Sequence, residues 1–201
     1  MARSCLIAAS ILALAAGLPI SAAAQTAAPS PDAPRATQNI TQPAADQLEH
    51  LFALLAEADD SNWKALEEEI WDLWSRSGSD AFDLLLERGR DAMEAGDFDV
   101  AIEHLTALTD HAPGFAEGWN ARATAFYLSG RLGLSLDDIA RVLTLEPRHF
   151  SALSGLGMIM EELGDPQAAL EAYRHSLAIH PRNPRIKEAV ERLETAEGRD
   201  I

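Results

Sequence analysis

The chain has 201 residues, with 16 basic and 32 acidic side chains and a formal net charge of −16 at pH 7. So acidic a surface repels phosphate backbones and argues against a nucleic-acid partner, whereas it attracts a basic segment of a protein. The same charge also suits plain solubility, so it does not by itself fix the partner. A single cysteine, Cys5, excludes a disulfide-based fold.

Residues 1–24 have the order of a secretory signal peptide. Arg3 is followed by an apolar run, interrupted by Gly17 and Pro19, and then by small residues up to Ala24. The run is shorter than the ~20 residues that a membrane-spanning helix needs, which favours cleavage over anchoring. We therefore expect cleavage after Ala24, no membrane anchor in the mature protein, and a periplasmic location, with secretion as the alternative.

An Ala-, Pro- and Thr-rich linker over residues 25–41 precedes two apolar patterns at helical spacing within residues 42–79. A polar turn at residues 59–61 separates the two patterns. Their apolar positions are Leu48, Leu51, Leu54 and Leu55 in the first and Trp63, Leu66, Ile70, Leu73 and Trp74 in the second. We expect this helix pair, a degenerate repeat or cap, to cover the N-terminal end of the helices that follow.

Three tryptophans belong to this pair: Trp63, Trp71 and Trp74. Trp71 lies about 100° from Ile70 around the helix and so falls off the main apolar face. We expect Trp71 to pack against the helix that starts near Phe82. The alternative is an exposed Trp71 at a second contact surface or a dimer seam.

Residues 82–183 repeat with a period of 34, in copies over 82–115, 116–149 and 150–183. Each copy has a glycine that predicts the end of a first helix and a proline that predicts the end of a second. These residues are Gly96, Gly130 and Gly164, and Pro113, Pro147 and Pro181. We expect Asp97 and Asp165 to cap the second helices at their N-termini.

Small residues recur where the two helices of each copy would cross. They are Gly89, Ala123 and Gly157 in the first helices and Ala101, Ser135 and Ala169 in the second. A larger side chain at these positions would force the helices apart. Residues 184–201 then carry Ile186, Val190 and Leu193 at amphipathic spacing, which predicts a C-terminal capping helix and tail.

This pattern resembles the tetratricopeptide repeat (TPR) family over Phe82 to Asn183. The third copy matches best, with Leu153, Leu156, Gly157, Met160, Ala169, Tyr173 and Pro181. The resemblance implies an all-α superhelix, a solenoid of three TPR hairpins. It identifies the chain as a small exported bacterial TPR protein, whose family members are binding scaffolds.

Ligands of this family usually lie along the concave groove formed by the first helix of each repeat. The family's groove positions fall here on Leu86, Arg90, Met93, Asn120, Thr124, Tyr127, Ser154, Met158 and Glu161. Members that bind the C-terminal carboxylate of chaperones use lysines, arginines and asparagines. The matching positions here are Leu86, Arg90, Ala121, Ser151 and Gly155, so one cation remains and a helical or extended peptide is the better expectation.

No catalytic motif, metal-ligand pattern or cofactor fingerprint occurs in the sequence, so we expect no catalytic residue, no metal and no cofactor. Two functions are the main hypotheses, with a purely structural, self-associating role as a weaker third. The first is a periplasmic adaptor or scaffold that binds a segment of another protein, with cell-envelope assembly as the candidate process. The second is an accessory subunit or enzyme whose repeats support an unidentified activity. The oligomeric state stays open.

Overall fold

A computed structural model of the protein describes residues 42–197, and within that range it contains nine helices and no strand. The helices are α1 Gln42–Ala56, α2 Trp63–Trp74, α3 Asp80–Glu94, α4 Phe98–His111, α5 Ala116–Leu128, α6 Leu132–Leu145, α7 Phe150–Glu162, α8 Pro166–Ile179 and α9 Pro184–Glu197. The predicted all-α fold is thus confirmed. The predicted signal peptide, linker and last four residues lie outside the described range.

Helices α3–α4, α5–α6 and α7–α8 form three antiparallel hairpins that stack on one another. Gly96, Gly130 and Gly164 end the first helices with φ of +79°, +75° and +79°. This is the left-handed conformation that the repeat pattern predicts. At the first of these turns, the Asp97 amide donates to the Ala92 carbonyl at 2.8 Å. The turn residues therefore set the hairpin geometry.

The two helices of a hairpin cross closely at glycines of the first helix. A Cβ atom on Gly157 would lie 2.4 Å from Cε1 of Tyr173, and one on Gly89 would lie 2.5 Å from Cγ of Leu105. In the middle hairpin the Ser135 hydroxyl donates to the Ala123 carbonyl at 2.7 Å. Small residues are therefore required at these crossings by direct contact.

The two predicted N-caps differ in detail. The Asp165 carboxylate accepts a hydrogen bond from the Ala168 amide at 3.0 Å, as predicted. Asp97 occupies the N-cap position of α4, but its side chain makes no capping bond there. The N-cap side chain therefore stabilises α8 and not α4.

Helix α9 packs on α8. Ile186, Val190 and Leu193 form one apolar cluster with Ala169, Leu170 and Tyr173 of α8. The last repeat is therefore covered, as the amphipathic spacing of α9 predicts. No helix within residues 42–197 is long and apolar enough to cross a membrane.

Helices α1 and α2, together called the N-terminal hairpin, do not cover the N-terminal end of the stack, and that expectation is wrong. Their apolar cluster includes Phe150 of α7 and Ile179 of α8, and none of its members belongs to α3 or α4. The aromatic face of the hairpin instead meets the two turns at the ends of the second and third repeats. The polypeptide therefore folds back over the C-terminal half of the stack.

Candidate functional site

A groove of about 560 Å³ runs along α5 and α7. Its walls are α2, which contributes Glu67 and Trp71, and the first turns of α9, which contribute Arg185 and Ile186. Residues at i, i+4 and i+7 of α5 point to one face of that helix, which brings Asn120, Thr124 and Tyr127 together. The apolar lining of the groove includes Ala123, Ile139, Phe150, Ala152, Met158 and Ile159.

Five of the nine predicted groove residues line this groove: Asn120, Thr124, Tyr127, Ser154 and Met158. Leu86 does not, because it is 1% exposed within the core of the first hairpin and cannot reach a ligand. Met93 packs against the same core. Arg90 and Glu161 are engaged in other contacts, described below, so the predicted set does not form one continuous surface.

Asn120 and Thr124 form the polar part of the groove on α5. Asn120 is buried, and its Nδ2 donates to Oε2 of Glu117 at 3.1 Å. Thr124 is exposed, and its hydroxyl donates a hydrogen bond to the Asn120 carbonyl at 3.0 Å. The lone pairs of that hydroxyl remain able to accept a hydrogen bond from a bound segment.

Ser154 lies on α7 next to the α7–α8 contact. Its Oγ donates to the Phe150 carbonyl at 2.8 Å and lies 2.9 Å from Oγ of Ser176. Ser154 therefore joins the two helices while it lines the groove. Its first role is structural.

Tyr127 and Met158 are the apolar contact points of the groove. The Tyr127 side chain is half-buried against the core of the middle hairpin, and Met158 is 44% exposed. Leu128 at the rim is also exposed. An aromatic ring beside a flexible thioether suits an apolar side chain of a partner.

Glu161 holds α9 and is not free to bind a ligand, which corrects its predicted role. Its carboxylate accepts from the Tyr173 hydroxyl at 2.8 Å and from both terminal nitrogens of Arg192, at 2.6 and 3.0 Å. Hydrogen bonding from Arg192 holds the pKa of Glu161 below its ordinary value of 4.5, against the opposing effect of burial. Burial, helped by Glu161, raises the pKa of Tyr173.

Arg90 belongs to a polar cluster with the buried side chains of Glu117, Asn120 and His149. Its Nη2 donates to Oε1 of Glu117 at 2.6 Å and to Oγ of Ser75 at 3.1 Å. His149 Nδ1 accepts from the Ala152 amide at 3.3 Å, and Nε2 lies 3.2 Å from Glu117 Oε2. This pairing assigns the ring proton to Nε2. The guanidinium of Arg90 thus pairs with the buried Glu117 carboxylate.

Sequence reasoning did not assign this polar cluster. Arg90 and Glu117 are 27 residues apart, on the first and second repeats, and Glu117 and His149 are 32 apart, at the two ends of the second repeat. The spacing of residues in one sequence predicts which side chains are neighbours on the same helix. These partners come together only when the helices pack in three dimensions. The feature of the sequence that could have indicated this cluster is Glu117, an acidic residue in the first turn of α5.

Trp71 does not pack against α3, so that expectation is wrong. Its ring lies edge-on to Trp74, His149 and Phe150, with centroid distances of 5.6, 5.9 and 6.1 Å. The side chain is half-buried and lines the groove. Trp71 therefore joins the N-terminal hairpin to α7 and forms part of the groove wall.

The remaining positions that match the chaperone-binding residues carry no charge. Ala121 is buried, and Ser151 and Gly155 line the groove. Among the described residues no group of three or more His, Cys, Asp or Glu side chains is placed to hold a metal ion. The site is thus a peptide-sized groove with an apolar lining and a few fixed polar groups.

A family model described as Tetratricopeptide repeat matches residues 86–145 and 133–184. A TPR repeat-containing protein of Rhizobium etli is 34% identical over 157 residues, which cover 78% of this chain and 77% of that protein. The Hsp70-Hsp90 organizing protein of Triticum aestivum is 30% identical over 100 residues, 50% of this chain and 17% of that protein. The first TPR of Spaghetti, bound to the HSP90 peptide SRMEEVD, superposes with a TM-score of 0.57 at 22% identity, covering 60% of this chain and 95% of that one.

Proposed function

Because the chain belongs to the tetratricopeptide repeat family, we propose that it is a protein-binding adaptor that holds a segment of another protein in the groove along α5 and α7. The observation that carries the proposal is the groove itself, about 560 Å³ in volume, with the exposed Met158 beside Tyr127 and the hydroxyl of Thr124. A relative in fold, the first TPR of Spaghetti, binds a peptide of HSP90.

The bound segment would present an apolar side chain to Tyr127 and Met158 and a backbone or polar donor to Thr124. A C-terminal carboxylate is a poor fit, because Leu86 and Ala121 are buried and Arg90 already pairs with Glu117. The net charge of −16 favours a segment that carries basic residues. A basic, partly apolar peptide segment is therefore the proposed ligand.

The proposed place of action is the periplasm, with cell-envelope assembly as the process. The support is the order of charge, apolar run and small residues before Gln25. Cell fractionation with intact-mass measurement tests the location. A periplasmic protein that starts at Gln25 agrees with the proposal, whereas an intact N-terminus or a membrane-bound protein contradicts it.

Photo-crosslinking tests whether the groove is the binding surface. A photoreactive amino acid placed at Met158 should crosslink to the protein that co-purifies with the chain, and mass spectrometry should map the crosslink to one short segment. Leu134 is the matched control, because it is 48% exposed on α6 and does not line the groove. Crosslinks that form at Leu134 and not at Met158 would place the partner on the outer face.

A further inference from the structure

The N-terminal hairpin is attached to the turns that precede α7 and α9 by two arginines. Arg148 pairs with Glu49 of α1, and its guanidinium lies 4.2 Å from the ring centroid of Phe52. Arg182 donates through Nε to the Ala58 carbonyl at 2.8 Å and through Nη1 to Asp60 at 3.3 Å. Both acidic partners are exposed, so the ion pairs with Glu49 and Asp60 contribute little to docking, whereas the charged hydrogen bond from Arg182 to the Ala58 carbonyl is partly buried.

Two fully buried histidines on the same turns contact tryptophans of α2. The Trp74 ring stacks on His149 with a centroid distance of 4.0 Å and an interplanar angle of 8°. The Trp63 ring is tilted against His180 at 5.4 Å. Aromatic packing therefore forms part of the apolar contact between the N-terminal hairpin and the repeats, together with Phe150 and Ile179.

Polar atoms in this interface are left without hydrogen bonds. Within residues 42–197, the buried side-chain nitrogens that lack a partner are Nε1 of Trp74 and both ring nitrogens of His180. Nε2 of His180 lies 3.4 Å from the Glu67 carboxylate, in poor hydrogen-bond geometry. Since water would satisfy these atoms when the N-terminal hairpin undocks, the docked state carries a cost that undocking relieves.

The chain between the N-terminal hairpin and the repeats offers one point of rotation. The Ser77 amide and hydroxyl both donate to the Asp83 carboxylate, which fixes Ser77 to α3. Ser75 belongs to the end of α2, because its amide donates to the Trp71 carbonyl at 2.9 Å, and its hydroxyl accepts a hydrogen bond from Arg90 that would break on opening. Arg76, the next residue, is exposed. Rotation at Arg76, between Ser75 of α2 and Ser77 held by α3, would move α1 and α2 together and leave α3 in place.

From these contacts we propose that the N-terminal hairpin is a gate on the groove: it undocks as a unit from α7 and α8 to admit the partner segment. This proposal rests on the proposed function of the groove. Undocking removes Glu67 and Trp71 from the groove wall and withdraws Trp74 and Ser75 from the polar cluster. The groove then extends from α5 and α7 toward Arg90 on α3, so that a longer segment can bind.

Hydrogen exchange by mass spectrometry, on the full chain without a partner, tests the gate. Amides of α1 and α2 should exchange through a local opening well before those of α5 to α8. Arg182→Gln removes the partly buried charged hydrogen bond to the Ala58 carbonyl and should speed exchange in α1 and α2 about tenfold, with α5 to α8 unchanged. Arg174→Gln is the control, because Arg174 pairs with Glu194 of α9; it should leave α1 and α2 unchanged.

A second variant tests the origin of the opening. His180→Phe replaces a ring with two unpaired nitrogens by an apolar ring and should slow exchange in α1 and α2. Exchange of all nine helices in one global step, or faster exchange of the hairpin in His180→Phe, would overturn the gate. These exchange measurements contain no partner, so either result would not test binding in the groove. The crosslinks at Met158 test that binding separately.

Discussion

At the scale of single residues, the contact of Gly157 with Tyr173 fixes the distance between α7 and α8. A Cβ on Gly157 would lie 2.4 Å from the Tyr173 ring, and that ring is held in place by its hydrogen bond to Glu161. Gly157→Ala should therefore destabilise the protein by about 1–3 kcal/mol through overpacking. Urea denaturation measures the change.

Gly155, two residues before Gly157 on the same helix, supplies the matched control. Its Cβ would meet Cδ1 of Ile139 at 3.6 Å, an ordinary contact inside a helix. Gly155→Ala should therefore be neutral or stabilise by up to about 1 kcal/mol. Equal losses of stability in the Gly155 and Gly157 variants would contradict the assigned crossing.

The 34-residue period made the residues of the helix crossings predictable. Gly89 and Gly157 are visible in the sequence because the period aligns them. The pairing of Arg90, Glu117 and His149 is not visible, because the partners lie on different helices or turns, 27 and 32 residues apart. Local spacing reports which residues face inward, whereas the stacking of repeats decides which of them meet.

At the scale of the helices, α9 depends on the ionised form of Glu161. The pKa of Glu161 is lowered below 4.5 by Arg192 in the folded protein, so the native state favours the carboxylate. This stability is present above the ordinary pKa and is lost as the pH falls through the folded pKa. The free energy of unfolding should therefore fall more steeply on acidification in the parent than in Glu161→Gln.

Urea unfolding between about pH 7 and pH 3 measures this difference. Glu188→Gln, on α9 itself, is the control, because Glu188 is exposed; the pH dependence of this variant's stability should follow the parent. A Glu161→Gln protein with the parent's acid sensitivity would show that Glu161 does not hold α9 through its charge.

The N-terminal hairpin shows what an apolar helix pattern can and cannot predict. The apolar spacing predicts both helices, and the polar turn between them falls at residues 57–62 of the structure. Their docking site is not predictable from the pattern, since Glu49 and Arg148 are 99 residues apart. An amphipathic pattern predicts that one face of a helix is buried, but it does not predict which surface of the protein buries that face.

At the scale of the whole molecule, three stacked hairpins, α9 and the folded-back N-terminal hairpin leave a groove along α5 and α7. The resemblance to the family predicts a groove along the first helices of the repeats, and five of the nine predicted residues line the groove in the structure. Leu86, Arg90, Met93 and Glu161 do not, because core packing, the polar cluster and α9 engage them. The groove positions taken from the family therefore line the groove of this chain only in its second and third repeats.

The affinity of the Tyr127→Ala protein for the segment mapped by crosslinking tests the central claim most directly. An aromatic anchor at an interface contributes about 2 kcal/mol or more, so binding measured by calorimetry should weaken about thirtyfold. Leu134→Ala, on the outer face, should bind as the parent does. Parent-like affinity in Tyr127→Ala, with the fold intact by circular dichroism, would contradict the groove as the binding site.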